Sequence, residues 1–411
     1  MTPLQLRALR NGAIAAVVVA TIGSVAVASR SPLRPRDSGP STPSPGPNRP
    51  SCFAAFAAVP TQDAGGTLNA VSALSASDAW AVGGSGEAGF PGETGVAGAT
   101  GATGTTGASR ATGPVEPVTT AALVERFSGR TWGTVNGPSP GTTENELLGV
   151  DAVSPTDAWA VGLTGDGSTE QPLILHFDGS TWVAELPPPE VTIGRLDAVS
   201  ALGPNDVWAV GSTVNVALGT EQALVLHFDG SAWSSVSVNP GGGGSRLLGV
   251  SAQAPDDVWA VGSHHLGPLI LHFDGTTWTR ADIDAKGPLT SVLAFAPDEV
   301  WAAGPAVFHF AGDSWVRRGR IRKGAELAGL AGTSPSDVWA VGSRALAGSS
   351  SVAFAMHWDG GRWALVKTAP VPGHEALHAV AAPAEGEAIA VGVRETHAGS
   401  LTYAVQARRC A

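Results

Sequence analysis

The chain has 411 residues, of which only 14% are charged, and its formal net charge is −11. A protein that binds nucleic acid needs a basic face, so this acidic balance argues against a nucleic-acid partner. The length could hold roughly two or three ordinary domains, but one repeated pattern fills most of it.

The N-terminus has the pattern of an export signal. Arg7 and Arg10 precede an uncharged run over residues 11–29 that is rich in Ala and Val, and residues 26–28 offer an Ala-Val-Ala cleavage site. We therefore expect residues 1–28 to be a signal peptide and the protein to be extracellular or in the cell envelope. The run is about long enough to span a bilayer, so an uncleaved membrane anchor is the alternative.

Residues 29–51 are rich in proline and serine. Proline-rich segments are extended and act as semi-rigid spacers, so this stretch is expected to hold the following domain away from a membrane or wall. A disordered leader that remains after cleavage is the alternative.

Two motifs alternate through the rest of the chain, residues 52–411. The first reads D-x-W-A-V-G, with tryptophans at Trp80, Trp159, Trp208, Trp259 and Trp339 and weaker copies around Trp301 and Ile389. The second reads L-x-L-H-F-D-G-x-x-W and ends at Trp132, Trp182, Trp233, Trp278, Trp315 and Trp363. The pairs form seven units with a period of about 40–50 residues, which is typical of radially repeated sheets.

Each unit divides into four short apolar strands. The turn between the first and second strands carries S-x-x-D or P-x-D, and the turn between the third and fourth carries F-D-G, which favours a hairpin. We therefore predict an all-β fold, a seven-bladed β-propeller with four-stranded blades.

The motifs D-V-W-A-V-G-S and L-H-F-D-G-x-x-W resemble the repeats of secreted bacterial β-propellers, which are loosely similar to the Asp-box, kelch and photosystem-assembly-factor types. The resemblance covers roughly residues 52–411 and implies a propeller fold. The Asp-box pattern S-x-D-x-G-x-x-W has one residue more than the D-G-x-x-W found here, and the Gly-Gly doublet of kelch is missing.

Residues 85–120 form a low-complexity insertion in the first blade. Glycine recurs at every third position from Gly89 to Gly107, as in bacterial collagen-like tracts. Seven extended triplets would reach about 60 Å, yet both ends of the insertion must rejoin one blade. A disordered loop is therefore favoured over a triple helix.

The only two cysteines, Cys52 and Cys410, bracket the propeller. The last unit ends where its third-to-fourth hairpin should turn, so residues 52–60 can supply the missing fourth strand, with Phe53 near the position of the usual tryptophan. This arrangement places the two cysteines across one turn and predicts a disulfide, which an exported protein can form. Free thiols or an intermolecular bond are the alternatives.

Most residues that could support chemistry repeat in register, which indicates a structural role. Five histidines share one position of the second motif, namely His176, His227, His272, His309 and His357. Equivalent positions of different blades point outward at different angles, so we predict structural hydrogen bonds rather than a metal site, and no cofactor. The repeated tryptophans are expected to wedge between blades, and the aspartates of both motifs are expected to cap turns.

Binding residues are expected among the parts that differ between units. The second-to-third loops and the links between blades vary, and in a propeller both emerge on one face. Three sets of candidates fall there: the basic run Arg317, Arg318, Arg320, Arg322 and Lys323; the first-strand residues Arg195 and Arg246, which could lie side by side at the mouth of the central channel; and the histidine pair His264 and His265.

These observations favour an exported, non-catalytic propeller that binds a protein or a cell-envelope polymer through its variable face. A glycoside hydrolase or lyase of the sialidase type is the main alternative, but it would need a tyrosine with a carboxylate partner, and the chain has the single tyrosine Tyr403. A purely structural surface component is the third possibility.

Overall fold

The computed structural model describes residues 56–59, 61, 65–86, 120–215, 219–241, 243–265, 267–319, 321–346, 350–368, 374–396 and 399–408. The strands of this part form seven antiparallel sheets of four strands each, which confirms the seven-bladed propeller. The first strand of each blade contacts the first strand of the next blade, and the seventh contacts the first, so the ring is closed. The predicted signal peptide, the spacer and nearly all of the collagen-like insertion lie outside the described residues.

The strands follow the repeat in chain order after β1 (Ala57–Val59), which belongs to blade 7. Blade 1 contains β2 (Gly66–Ser75), β3 (Asp78–Ser85), β4 (Ala121–Phe127) and β5 (Trp132–Val135). Blade 2 contains β6 (Glu144–Ser154), β7 (Asp157–Gly165), β8 (Glu170–Phe177) and β9 (Trp182–Glu185). Blade 3 contains β10 (Gly194–Gly203), β11 (Asp206–Asn215), β12 (Thr220–Phe228) and β13 (Trp233–Ser235).

The remaining blades repeat this order from the channel outward. Blade 4 contains β14 (Ser245–Ala254), β15 (Asp257–His264), β16 (Gly267–Phe273) and β17 (Trp278–Arg280). Blade 5 contains β18 (Ser291–Ala296), β19 (Glu299–Ala303), β20 (Val307–Phe310) and β21 (Trp315–Gly319). Blade 6 contains β22 (Ala325–Ser334), β23 (Asp337–Ala345), β24 (Ser351–Trp358) and β25 (Trp363–Val366). Blade 7 contains β26 (His374–Ala381), β27 (Ala388–Thr396) and β28 (Gly399–Ala407), with β1 as its outer strand.

Blade 7 is closed by strands from both ends of the propeller, as predicted. Ala57 pairs with Gln406, which places Phe56, not Phe53, in the position that a tryptophan takes in the other blades. Phe56 is fully buried and packs edge-on against Trp339 of blade 6 at 5.7 Å between ring centroids. The prediction for Phe53 is therefore wrong by three residues. Cys52 and Cys410 lie outside the described residues, so their disulfide stays a prediction.

Aromatic pairs hold neighbouring blades together. In five blades the tryptophan of the first motif meets the tryptophan that ends the second motif of the next blade, with ring centroids 5.2 to 5.9 Å apart; the pairs are Trp80–Trp182, Trp159–Trp233, Trp208–Trp278, Trp259–Trp315 and Trp301–Trp363. The predicted wedging of these tryptophans is confirmed. Burial of such large rings supplies much of the core that seven thin sheets need.

The F-D-G hairpins form as their sequence predicts. In blade 2, Asp178 Oδ1 accepts hydrogen bonds from the backbone N–H groups of Ser180 and Thr181, both at 2.8 Å. These bonds, together with one from the Ser180 hydroxyl, lower the pKa of Asp178 to about 2. Gly179 has φ +93°, a conformation that residues with a Cβ rarely adopt. The turn-capping role of this aspartate is confirmed.

The turns and loops define two faces of the disc. The first-to-second and third-to-fourth turns lie on one face, which we call the constant face because these turns are short and alike. The second-to-third loops and the links between blades lie on the opposite face, which we call the variable face. The end of a second or fourth strand and the start of a first or third strand therefore point to the variable face.

Candidate functional site

The same trio of side chains occupies the constant face of five blades. The acidic residue that opens the second strand lies 2.5 to 3.2 Å from a histidine Nε2 on the third strand; the pairs are Asp157–His176, Asp206–His227, Asp257–His272, Glu299–His309 and Asp337–His357. The histidine ring also lies against the tryptophan of its own blade, as in Trp159–His176 with centroids 4.0 Å apart. The predicted structural hydrogen bonding of these histidines is confirmed.

The prediction that the aspartates of D-x-W cap turns is wrong, since these carboxylates bind the third strand instead. In blade 1 an arginine takes the position of the histidine and makes the same two contacts, with the acidic residue and with the tryptophan. Arg126 Nε and Nη2 donate to the two carboxylate oxygens of Asp78 at 3.1 and 3.2 Å, and its guanidinium lies 4.8 Å from the ring centroid of Trp80. The replacement preserves both contacts, so the trio is a repeated frame rather than a catalytic set.

The two predicted channel-mouth arginines lie side by side, as expected, and share one carboxylate. Arg246 Nε and Nη2 donate to Asp197 at 3.1 and 2.6 Å, and Arg195 Nη2 lies 3.1 Å from the same carboxylate. Asp197 is only 2% exposed. Burial alone would raise its pKa, but the charges of the two guanidinium groups lower the pKa below its ordinary value.

Further carboxylates act on this cluster. Burial would lower the pKa of Arg246, yet Asp197 raises it above its ordinary value, with smaller contributions from the charges of Glu221 and Glu170. Three carboxylates thus act on Arg246, and one of them also neutralises Arg195. The positive charge at this position is balanced within the protein, which leaves little attraction for an anionic ligand.

The histidine pair of blade 4 lies at the end of β15. His264 and His265 have ring centroids 4.4 Å apart, and Arg280 Nη1 lies 3.5 Å from His264 Nδ1. Within the described part of the chain, no group of three or more His, Cys, Asp or Glu side chains could hold a metal ion. A cation, Arg280, lies beside this pair, which does not favour metal binding.

The structure divides the basic run between two elements. Arg317 and Arg318 are exposed on β21, the outer strand of blade 5, and Arg317 Nε donates to Gly319 O at 3.3 Å. Arg322 and Lys323 are exposed in the link to blade 6. Arg320 lies outside the described residues. The run therefore passes from the rim of the disc onto the variable face.

Two cavities lie along this run. The first, of about 440 Å³, is lined by Arg317, Arg318, Gly319, Trp358, Gly361, Arg362 and Trp363. The second, of about 470 Å³, is lined by Arg322, Arg344, Val352, Ala353, Phe354, Ala355, Leu365, Val366, Lys367, Thr368 and Glu375. The first lies against the third-to-fourth hairpin of blade 6, which belongs to the constant face. The second lies at the opposite end of β25 and is built from the variable-face ends of β23, β24, β25 and β26. We call the two cavities together the blade 5–6 groove.

Sequence reasoning missed three cations of this groove. Arg344 follows the W-A-V-G-S segment of blade 6, Arg362 lies in its F-D-G-type hairpin, and Lys367 follows its fourth strand. Each is isolated in the sequence, and only the folding of one blade brings it next to the run. The positions are nonetheless ones at which the repeat varies, which is the signal that could have marked them.

Tyr403 lies on β28 and is only 4% exposed. Its hydroxyl has no hydrogen-bond partner among the described residues. Burial and, to a smaller extent, the nearby charge of Glu375 raise the pKa of Tyr403 to about 12. A nucleophilic tyrosine has to reach its substrate and ionise. Tyr403 is sheltered from solvent and held in its protonated form.

The predicted membrane anchor, residues 1–28, lies outside the described residues. In the part of the chain that the structure does describe, no helix is both long enough and apolar enough to cross a membrane.

Comparison with known proteins shows similarity in fold. No family model and no curated protein matches the chain. The structure of YCF48 bound to D1 peptide superposes with a TM-score of 0.52 at 15% identity, over 85% of this chain and 95% of that one. YCF48 from Cyanidioschyzon merolae superposes with a TM-score of 0.50 at 15% identity, over 85% of this chain and 98% of that one. The WD40 propeller domain of Doa1 superposes with a TM-score of 0.53 at 8% identity, over 86% of this chain and 96% of that one. At such identities the likeness shows the β-propeller fold that the repeats predict, and the fold alone.

Proposed function

We propose that the chain is an exported, non-catalytic propeller that binds a protein or cell-envelope partner through its variable face. One observation carries the proposal, namely the contrast between the two faces. On the constant face, the residues capable of acid–base chemistry are paired in the same way in five blades. On the variable face, three cations that break the repeat, Arg322, Arg344 and Lys367, line the second cavity of the blade 5–6 groove. Binding residues concentrate on such variable loops, which a rigid scaffold positions.

The fold is compatible with this role. YCF48, a propeller of similar fold, has been solved with a bound D1 peptide. This likeness supports a protein or peptide as the class of partner, and it supports no particular partner.

Export follows from the N-terminal pattern and has its own test. We expect protein recovered from the producing cells to be found in the medium or envelope fraction and to begin after Ala28. Intact residues 1–28 in the membrane fraction would instead indicate the anchor. Protein confined to the cytoplasm would contradict export.

The face used for binding is tested by site-specific crosslinking. A photoreactive amino acid replaces Arg344 on the variable face or, as the matched control, Arg130 in an exposed constant-face hairpin. We expect the full-length protein, expressed in its own cells, to form one reproducible adduct from position 344 and none from position 130. Adducts from position 130 alone, or from neither position, would contradict binding through the variable face. Loss of a glycan substrate on incubation would indicate the hydrolase alternative.

A further inference from the structure

The second cavity of the blade 5–6 groove is open because blade 5 is shorter than its neighbour. β19 and β20 have 5 and 4 residues, whereas β23 and β24 have 9 and 8. Ala303 and Val341 each lie two residues after the tryptophan of their strand, but β19 ends at Ala303 while β23 continues to Ala345. The variable-face end of blade 6 therefore extends past blade 5 and is left uncovered on that side.

The groove is positively charged in an acidic protein. Its linings contain Arg317, Arg318, Arg322, Arg344, Arg362 and Lys367, and the only carboxylate among them is Glu375. Glu375 is 3% exposed, and its burial raises its pKa above the ordinary value. Arg362 also has Asp359 at 3.6 Å, and the Arg362 side chain is 60% exposed. Most of the positive charge faces solvent without a neutralising partner in the linings.

Apolar surface accompanies the charge. Leu365 on β25 is 49% exposed and lines the second cavity beside Val352 and Phe354. Exposed large apolar side chains at a concave site mark a surface that a partner covers.

We propose that the blade 5–6 groove binds an extended peptide that combines acidic and apolar side chains. This inference rests on the proposed function and names the class of partner. Acidic side chains fit the arginines of both cavities, because guanidinium groups bind carboxylates through paired hydrogen bonds. Apolar side chains fit Leu365, Val352 and Phe354. A uniformly anionic polysaccharide would satisfy the charge and leave this apolar surface uncovered.

The spacing sets the length of the peptide. Arg318 in the first cavity and Arg322 in the second are four residues apart, so their Cα atoms are separated by at most roughly 14 Å. About five residues of extended chain cover that distance at ~3.3 Å per residue. A peptide of about eight residues therefore reaches both cavities at once.

Fluorescence anisotropy with the full chain tests this inference. The probes are three labelled octapeptides, one alternating Glu and Leu, one all Glu, and one alternating Lys and Leu, together with a sulfated polysaccharide. We expect the Glu–Leu peptide to bind most tightly and the Lys–Leu peptide not to bind. Arg318→Glu and Arg344→Glu should each weaken binding about tenfold or more, since each replaces an attractive ion pair by a repulsive one.

Matched variants separate specific effects from general ones. Arg130→Glu, on the constant face, should leave the affinity for the Glu–Leu peptide within about twofold of the natural protein. Leu365→Ser should weaken binding of the Glu–Leu peptide several-fold and leave binding of the all-Glu peptide unchanged, because only the former has apolar side chains to bury. A thermal melt shows whether the charge-reversed variants are folded. Arg344→Gln tests the loss of the positive charge without introducing a negative one. Equal or tighter binding of the all-Glu peptide or the polysaccharide would overturn the peptide assignment. If position 344 crosslinks a partner and no octapeptide binds, the proposed function stands and this inference fails; if neither occurs, both fail.

Discussion

Arginines occupy two contrasting settings in this propeller. At the channel mouth, the side chains of Arg195 and Arg246 are 9% and 12% exposed and share the buried carboxylate of Asp197. Along the blade 5–6 groove, Arg318 and Arg322 are exposed, and the linings offer them only the buried Glu375. The same residue type therefore stabilises the fold in one place and remains available to a ligand in the other. The deciding factor is whether the fold brings a carboxylate beside it.

Of the substitutions proposed, removal of the carboxylate shared by Arg195 and Arg246 should change the free energy of unfolding most. Asp197→Asn keeps the shape of the side chain but removes the carboxylate charge that both buried guanidinium groups contact directly, so we expect a loss of about 3–5 kcal/mol in the free energy of unfolding. Urea unfolding followed by tryptophan fluorescence measures it. The pKa of Asp197 is lowered in the folded state, so this stabilisation is present at neutral pH and is lost as the pH falls through the folded pKa.

Asp359→Asn is the matched control, because Asp359 also faces an arginine but at an exposed position. The expected loss is within about 1 kcal/mol, as for other surface ion pairs. Equal losses for Asp197→Asn and Asp359→Asn would show that burial does not distinguish the two settings.

A buried carboxylate without any cation provides a third setting. Glu125 on β4 is 0% exposed, and neither carboxylate oxygen has a hydrogen-bond partner among the described residues. Blades 2 to 4 have Leu175, Leu226 and Leu271 at this position. Burial raises the pKa of Glu125 from 4.5 to about 7. We expect Glu125→Leu to stabilise the fold at pH 8 by about 3 kcal/mol, measured by urea unfolding.

The pH dependence of Glu125 has a definite sign. A raised folded-state pKa means that the folded protein favours the neutral acid, so the contribution to stability is full below pH 4.5 and is lost as the pH rises to about 7. The difference in unfolding free energy between Glu125→Gln and the natural protein should therefore grow from pH 4.5 to pH 7 and stay constant above it. A difference that does not change with pH would show that Glu125 has the same pKa in the folded and unfolded states.

The fold was predictable from sequence because the same pattern of strands and turns recurs in the blades. The repetition also distinguishes structural residues such as His176, which recur in register, from residues that differ between blades. The site was predictable only in part. Arg317 and Arg322 were found because they are neighbours in the chain, whereas Arg344 and Lys367 join them only through the pairing of blade 6. The carboxylate that neutralises Arg246 lies 49 residues away in the adjacent blade, so no local pattern could reveal it. Phe56 was missed because an alanine-rich segment leaves the strand register undetermined.

The smallest change in the free energy of unfolding is expected for a substitution in the blade 5–6 groove. Arg344→Ala removes a cation that lines the second cavity, with no hydrogen bond found for its guanidinium in the described part of the protein. Its free energy of unfolding should stay within about 0.5 kcal/mol of the natural protein, as is usual for such surface positions. Arg246→Ala, which removes two hydrogen bonds to Asp197, should be clearly destabilising in the same assay. If Arg344→Ala destabilises the protein as much as Arg246→Ala does, then Arg344 belongs to the frame, and the groove loses one of the cations on which peptide binding depends.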